Sequence, residues 1–218
     1  MRIEIIRNIE KYIKSKINRL FIDKYDFTII SNNCWGTFIY KKYGLPYHSP
    51  FVNLLIFAPD YIDLLENFSI KVLQKLSFIE HCDSKHKDEL ISLGIYDSGH
   101  PIGILDHKYE LHFLHYPSQE DAKTMWERRV KRINPSRLIF KFSDGDKFED
   151  SMIERFDKLK FKNKVCFVAK EYPDIKSAIS LKKFKGGERV HDEWKHAKKE
   201  FNTSSFINHI VEDEALDL

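Results

Sequence analysis

The chain has 218 residues, of which 42% are hydrophobic and 32% charged, a balance that excludes both a disordered polymer and a membrane-embedded protein. Lys and Arg number 36 against 33 Asp and Glu, too even a balance to steer the whole molecule towards nucleic acid. Cysteines at 34, 82 and 166 are too few and too scattered for a disulfide framework or a zinc cluster, and fit a reducing compartment.

Isoleucines at 6, 9, 13 and 17 and Leu20 recur every three or four residues among Lys, Arg and Glu. That spacing predicts an amphipathic helix over 3–22 whose apolar stripe must pack on something. Lys11, Lys14, Lys16 and Arg19 would also suit a membrane-surface helix, but Glu4 and Glu10 dilute the charge and the core reading is preferred. No run of 18 apolar residues and no signal-peptide pattern is present, so no transmembrane segment and a cytoplasmic location are expected.

The stretch 26–40 carries the strongest functional signal. Phe27 to Ile30 read as a strand, Ser31-Asn32-Asn33-Cys34 as a polar turn, and Trp35-Gly36 as the start of a helix. Open α/β sheets place ligands where strands end and helices begin, because first-turn amides lack intrahelical partners and carry the positive end of the dipole. Ser31, Asn32 and Asn33 supply short polar side chains, Trp35 a ring, and Gly36 room for close backbone approach. Cys34 would lie near the helix N-terminus, where thiolate is favoured, and is a candidate nucleophile. The competing reading is a helix cap beside a buried structural thiol. No glycine-rich phosphate fingerprint is present, and the sequence names no cofactor.

Gly44 sits where a helix ends, and Pro46 and Pro50 mark a connection. Residues 51–58 fit a buried strand or an apolar loop equally well, and Pro59 opens a helix. Residues 76–80 read as a strand, and 102–105 with 109–116 as a hairpin turning at Asp106-His107-Lys108. Ser118 and Asp121 start a helix to Ile133. Residues 137–142, 148–159 and 164–169 form a strand–helix–strand unit in the sheet that holds 27–30. Beyond Glu171 the pattern weakens; a charged helix over 188–201 and a frayed acidic tail from Glu212 are expected. The fold class is therefore α/β, a three-layer, mainly parallel, Rossmann-like sheet with an added β-hairpin. It is read as one domain over 1–218, with 117 as the candidate sub-domain boundary.

Three other groups bear on chemistry. His107, His112 and His115 cluster in sequence, but 112 and 115 point to opposite faces of a strand and would not share a metal; His115 and Tyr116 at the strand end could line a cleft. Asp144-Gly145-Asp146 after a strand resembles a metal-binding Asp-x-Asp, yet it is also ordinary turn chemistry, and no metal is assigned. Arg128, Arg129 and Arg132 share a helix and form either a solvated face or a phosphate-facing patch, with Arg129 taken as the ligand candidate.

Ser31-Asn32-Asn33-Cys34-Trp35-Gly36, Tyr43-Gly44-Leu45, Ser49-Pro50-Phe51-Val52, the hairpin through Leu111-His112-Phe113-Leu114-His115-Tyr116 and Trp126-Glu127-Arg128-Arg129 together resemble a bacterial family. It is a domain of unknown function, number 1919, found in proteins labelled exopolysaccharide biosynthesis proteins, and the resemblance covers nearly the whole chain. It implies a link to surface-polysaccharide assembly and carries no catalytic residues over. The expectation is a transferase taking a glycosyl or other group from a nucleotide sugar or other phosphorylated small molecule to a carbohydrate acceptor. The donor would sit at Ser31 to Gly36, held by loop amides and a basic side chain, with His115 as base. The alternative is a non-catalytic carbohydrate-binding or scaffold protein.

Overall fold

The computed structural model describes residues 2–187 and 189–212, with side chains from residue 4 onward. The expected tail beyond 212 and the start of the expected charged helix at Glu188 lie outside the described residues.

Four parallel strands make the main sheet: β1 (Thr28–Ser31), β5 (Leu138–Ser143), β6 (Lys164–Val168) and β7 (Ala178–Ser180), in that order. Thr28 pairs with Leu138, and Phe140 with Lys164, so the stretch 27–30 and the unit 137–169 share one sheet. Parallel strands covered on both faces are apolar nearly throughout. Alternation sorts their side chains: Ile29, Ile139, Val165 and Phe167 enter one core, and Ile30, Phe140, Phe142 and Cys166 the other.

The first core is covered by α2 (Trp35–Tyr43) and the C-terminal pieces α8 (Glu193–His196) and α9 (Thr203–Asn208). The second is covered by α3 (Ala58–Glu66), α6 (Gln119–Val130) and α7 (Asp150–Lys158), the last being the crossover between β5 and β6. Short helices α4 (Ile70–Leu73) and α5 (Lys87–Ser92) flank a second, antiparallel sheet ordered β2 (Leu76–Ile79), β3 (Ile102–Leu105), β4 (Tyr109–His112). The β3–β4 turn has positive φ at Asp106 (48°) and His107 (56°), as a type I′ hairpin turn requires. Residues 51–57 resolve as a loop held to β4 by a bridge between Leu55 and His112, and Ala58 already belongs to α3.

Two expectations are corrected. The charged helix expected over 188–201 is, among the described residues, only α8 followed by a 3-10 turn at Ala197–Lys199, because Glu193 and Ala197 are buried instead of belonging to one solvated face. The N-terminal helix exists as α1 (Arg2–Arg19), but its apolar stripe does not pack on the core. Ile5, Ile6, Ile9, Ile13 and Ile17 are each 50–54% exposed. The helix instead meets α2 through polar residues: Ser15 is buried against Gly44, and Asn18 donates to the Lys42 carbonyl at 3.0 Å.

Candidate functional site

The carboxyl ends of β1 and β5 lie side by side, and a cavity of about 250 Å³ opens beyond them. Asn32, Asn33 and Cys34 line it from β1, Ser143, Gly145 and Asp146 from β5, and residues 189–194 close it. This is the position at which parallel sheets bind ligands.

Lys141 does not line the cavity but lies behind it, bonded to the lining residues Asn33, Ser143 and Glu193. It is fully buried inside the apolar strand β5, where a cation demands partners. Its Nζ contacts Glu193, also fully buried, and donates to Asn33 Oδ1 at 2.9 Å and Ser143 Oγ at 3.1 Å. Asn33 Nδ2 donates to the same Glu193 Oε1 at 2.9 Å. Burial holds the Lys141 ammonium below its usual range, with Glu193 pulling it back. The other carboxylate oxygen, Glu193 Oε2, and the indole Nε1 of Trp194 are buried and have no hydrogen-bond partner among the described residues. Trp194 stacks on Phe38 of α2, rings 4.2 Å apart and 10° from parallel, which fixes that indole at the rim.

Asp144 ties the closing segment down. Its carboxylate accepts from the backbone N–H of Ala169 at 2.6 Å and of Val190 at 2.7 Å. Burial nevertheless raises it to about 6, against those amides and Lys141. Asp146 pairs with Arg189, so the two carboxylates of the Asp-x-Asp are engaged by backbone amides and a guanidinium.

Of the residues expected at the site, Asn32, Asn33 and Cys34 line the cavity, and the others do not. Trp35 is core, packed on Phe167. Gly36 faces the strand beneath it: a Cβ there would come 3.0 Å from Ile29 Cγ2, so its smallness serves helix–sheet packing and not ligand approach. Ser31 is buried, its hydroxyl donating to the Asn33 carbonyl. Asn33 Oδ1 accepts from the Trp35 N–H at 3.0 Å, so the side chain caps the helix as well as holding Lys141.

Cys34 does not have the expected thiolate character. Burial first and then Glu193 push its thiol up to about 11, outweighing Lys141 and Lys41. His115 is exposed and absent from the lining, because β4 ends at His112 and the chain bends before it. Tyr116 and Arg129 form a separate group. The Arg129 guanidinium donates to the Tyr116 hydroxyl and lies over the Tyr47 ring at 5.1 Å; Tyr116 in turn donates to the Val52 carbonyl at 2.9 Å. Arg129 is thus buried on aromatic faces and not presented outward.

Sequence reading missed Lys141, Glu193, Arg189, His191 and Trp194. One local signal existed: a lysine in Leu138-Ile139-Phe140-Lys141-Phe142, where both faces are otherwise apolar. The rest come from a segment whose charge pattern resembles a solvated helix. The histidines also regroup: His112 meets His86 and His100, their ring centroids 6.3 and 5.5 Å away, while His107 and His115 stand elsewhere.

The family described as Domain of unknown function (DUF1919) matches residues 5–213. An "Uncharacterized protein" of Haemophilus influenzae (strain ATCC 51907 / DSM 11121 / KW20 / Rd) is 34% identical over 191 residues, covering 83% of this chain and 85% of the relative. With the sheet, the loop and the hairpin all inside the matched span, the chain belongs to the DUF1919 family.

Proposed function

We propose that the cavity binds the sugar of a phosphate-linked donor and that the protein transfers that group to a carbohydrate hydroxyl in surface-polysaccharide assembly. The observation that carries this is a pair of lining residues that each hold a buried, unpartnered polar atom, Glu193 with its Oε2 acceptor and Trp194 with its Nε1 donor. Buried polar groups are nearly always hydrogen-bonded, so unsatisfied atoms of both polarities beside the cavity suit a ligand rich in hydroxyls. Asn32, Asn33 and Asp192 add short polar side chains, and Arg189 at the rim suits the phosphate. A volume of about 250 Å³ fits one sugar ring, leaving the rest of a larger donor outside.

In the transfer, an acceptor hydroxyl bonds the donor carbon as its proton passes to His191, which replaces His115 as base because it lines the cavity. The phosphate leaves with the bonding electron pair, its charge met by Arg189. A non-catalytic sugar-binding role is the second reading, favoured by one observation: Lys141, Asp144 and Asp146 are already engaged within the protein.

A thermal-shift panel of sugar phosphates and nucleotide sugars tests binding. A ligand at ~100 times its Kd adds roughly 2.7 kcal/mol. A turnover assay with that ligand then separates the readings. His191→Gln should abolish turnover while retaining the shift; binding without turnover in wild type would favour the second reading, and no shift with any member would sink both.

A further inference from the structure

We propose that α1 is a peripheral membrane anchor that lays its isoleucine stripe into an anionic lipid surface. This goes beyond the reading of the cavity and does not depend on it. Over its 18 residues α1 would run about 27 Å. Residues 4–14 are all exposed, and among the described residues the helix docks on α2 through Ser15 and Asn18 in its last turns. At 3.6 residues per turn, Ile5, Ile6, Ile9, Tyr12, Ile13 and Ile17 fall on one side. Ser15 and Asn18, which dock on α2, fall on the other. The apolar side is therefore turned away from the protein and made continuous by the docking itself, extended by Leu20, which is 83% exposed, and Phe21.

Charge selects the occupant. Arg7, Lys11, Lys14, Lys16 and Arg19 outnumber Glu4 and Glu10 by five to two. Among the described residues no carboxylate pairs with any of these cations. Arg19 flanks one edge of the stripe, Lys14 lies beyond Glu10 at the other, Lys16 lies within it, and Arg7 and Lys11 fall on the docking side. Cations around an apolar face match a bilayer of anionic headgroups, where long stems bury while their charges stay at headgroup level. A second copy of the chain would bring the same positive charge against itself.

The base of the stripe adds a feature suited to a headgroup. A groove lined by Lys16, Ile17, Arg19, Leu20 and Tyr25 sits where α1 ends. The Arg19 guanidinium lies 4.7 Å from the Tyr25 ring centroid, which holds it at the groove edge.

Co-sedimentation of the full chain with phosphatidylcholine vesicles, with and without phosphatidylglycerol, tests the proposal. Wild type should pellet with the anionic vesicles, and much less with pure phosphatidylcholine or at high salt. Ile9→Asn with Ile13→Asn should abolish pelleting, and Lys11→Glu with Lys14→Glu should weaken it at least about tenfold. Positions 9, 11, 13 and 14 are exposed, so all variants should keep the wild-type Tm. Wild type left in the supernatant, or the double-asparagine variant pelleting like wild type, overturns the proposal. So does a concentration-dependent dimer in sedimentation equilibrium, abolished by the same isoleucine changes, in a protein that ignores anionic vesicles; the stripe would then belong to a second copy.

Discussion

Lys141 and Glu193 show at the residue scale how the site is held in place. Two full charges leave water together, and their attraction offsets that loss with the help of hydrogen bonds with Asn33 and Ser143, while Glu193 Oε2 stays unpartnered. Removing one partner is therefore worse than removing both. Lys141→Met should cost about 3–5 kcal/mol in denaturant unfolding, by stranding a buried carboxylate. Lys141→Met with Glu193→Leu should recover much of that loss, and additive losses in the double-mutant cycle would show that the pair is not coupled. Of these residues the sequence reading singled out Asn33, and it missed Lys141 although an apolar strand around a lysine was a local signal. Glu193 is 52 residues away, and nothing local distinguishes it from the exposed acids around it.

At the scale of elements, the contact between α2 and β1 depends on Gly36. The Ile29 side chain occupies the space over that residue, so Gly36→Val overpacks a closed interface and should destabilise by about 1–3 kcal/mol. Thermal unfolding checks this, and an unchanged Tm would mean that the helix can lift off the strand freely. The helix, strand and cap were legible because periodicity and turn residues act locally. The function of Gly36 was not, since strand contact and ligand approach ask for the same missing Cβ. The same limit explains α1: the 3.6-residue period announced an apolar stripe, but which way it faces depends on Ser15 meeting Gly44. The strand β7 has three residues and left no pattern to read.

Across the whole molecule, stability should fall in mild acid. Burial, with nearby His100 and His86, holds His112 at about 3, and burial with His81 holds His100 at about 4. Both fold neutral, so their contribution is complete above the ordinary histidine value of 6.5 and declines as pH drops from there towards 4 and 3. Asp144 has the opposite sign, since a carboxyl raised to about 6 favours the fold more once protonated. Two histidines with the larger displacements outweigh it, and Tm measured from pH 7 to 4 should decrease. His112→Asn should flatten that profile; a Tm constant over the range would show that the histidines remain solvated. The fold class was legible because alternating apolar strands and amphipathic helices define the layers, whereas this histidine group joins three distant segments.

The claim that the cavity beyond β1 and β5 takes a sugar rests on unpartnered polar atoms of its lining residues, and Trp194 tests it most directly. Trp194→Phe keeps a ring to stack on Phe38 and removes the unpartnered N–H with the pyrrole half of the indole. Calorimetric titration with whichever sugar phosphate or nucleotide sugar stabilises wild type should show a loss of roughly 0.5–1.5 kcal/mol, or about two- to twelvefold in Kd. Unchanged affinity in a folded Trp194→Phe, together with unchanged affinity in Arg189→Ala, would contradict the account and place the ligand elsewhere on the protein.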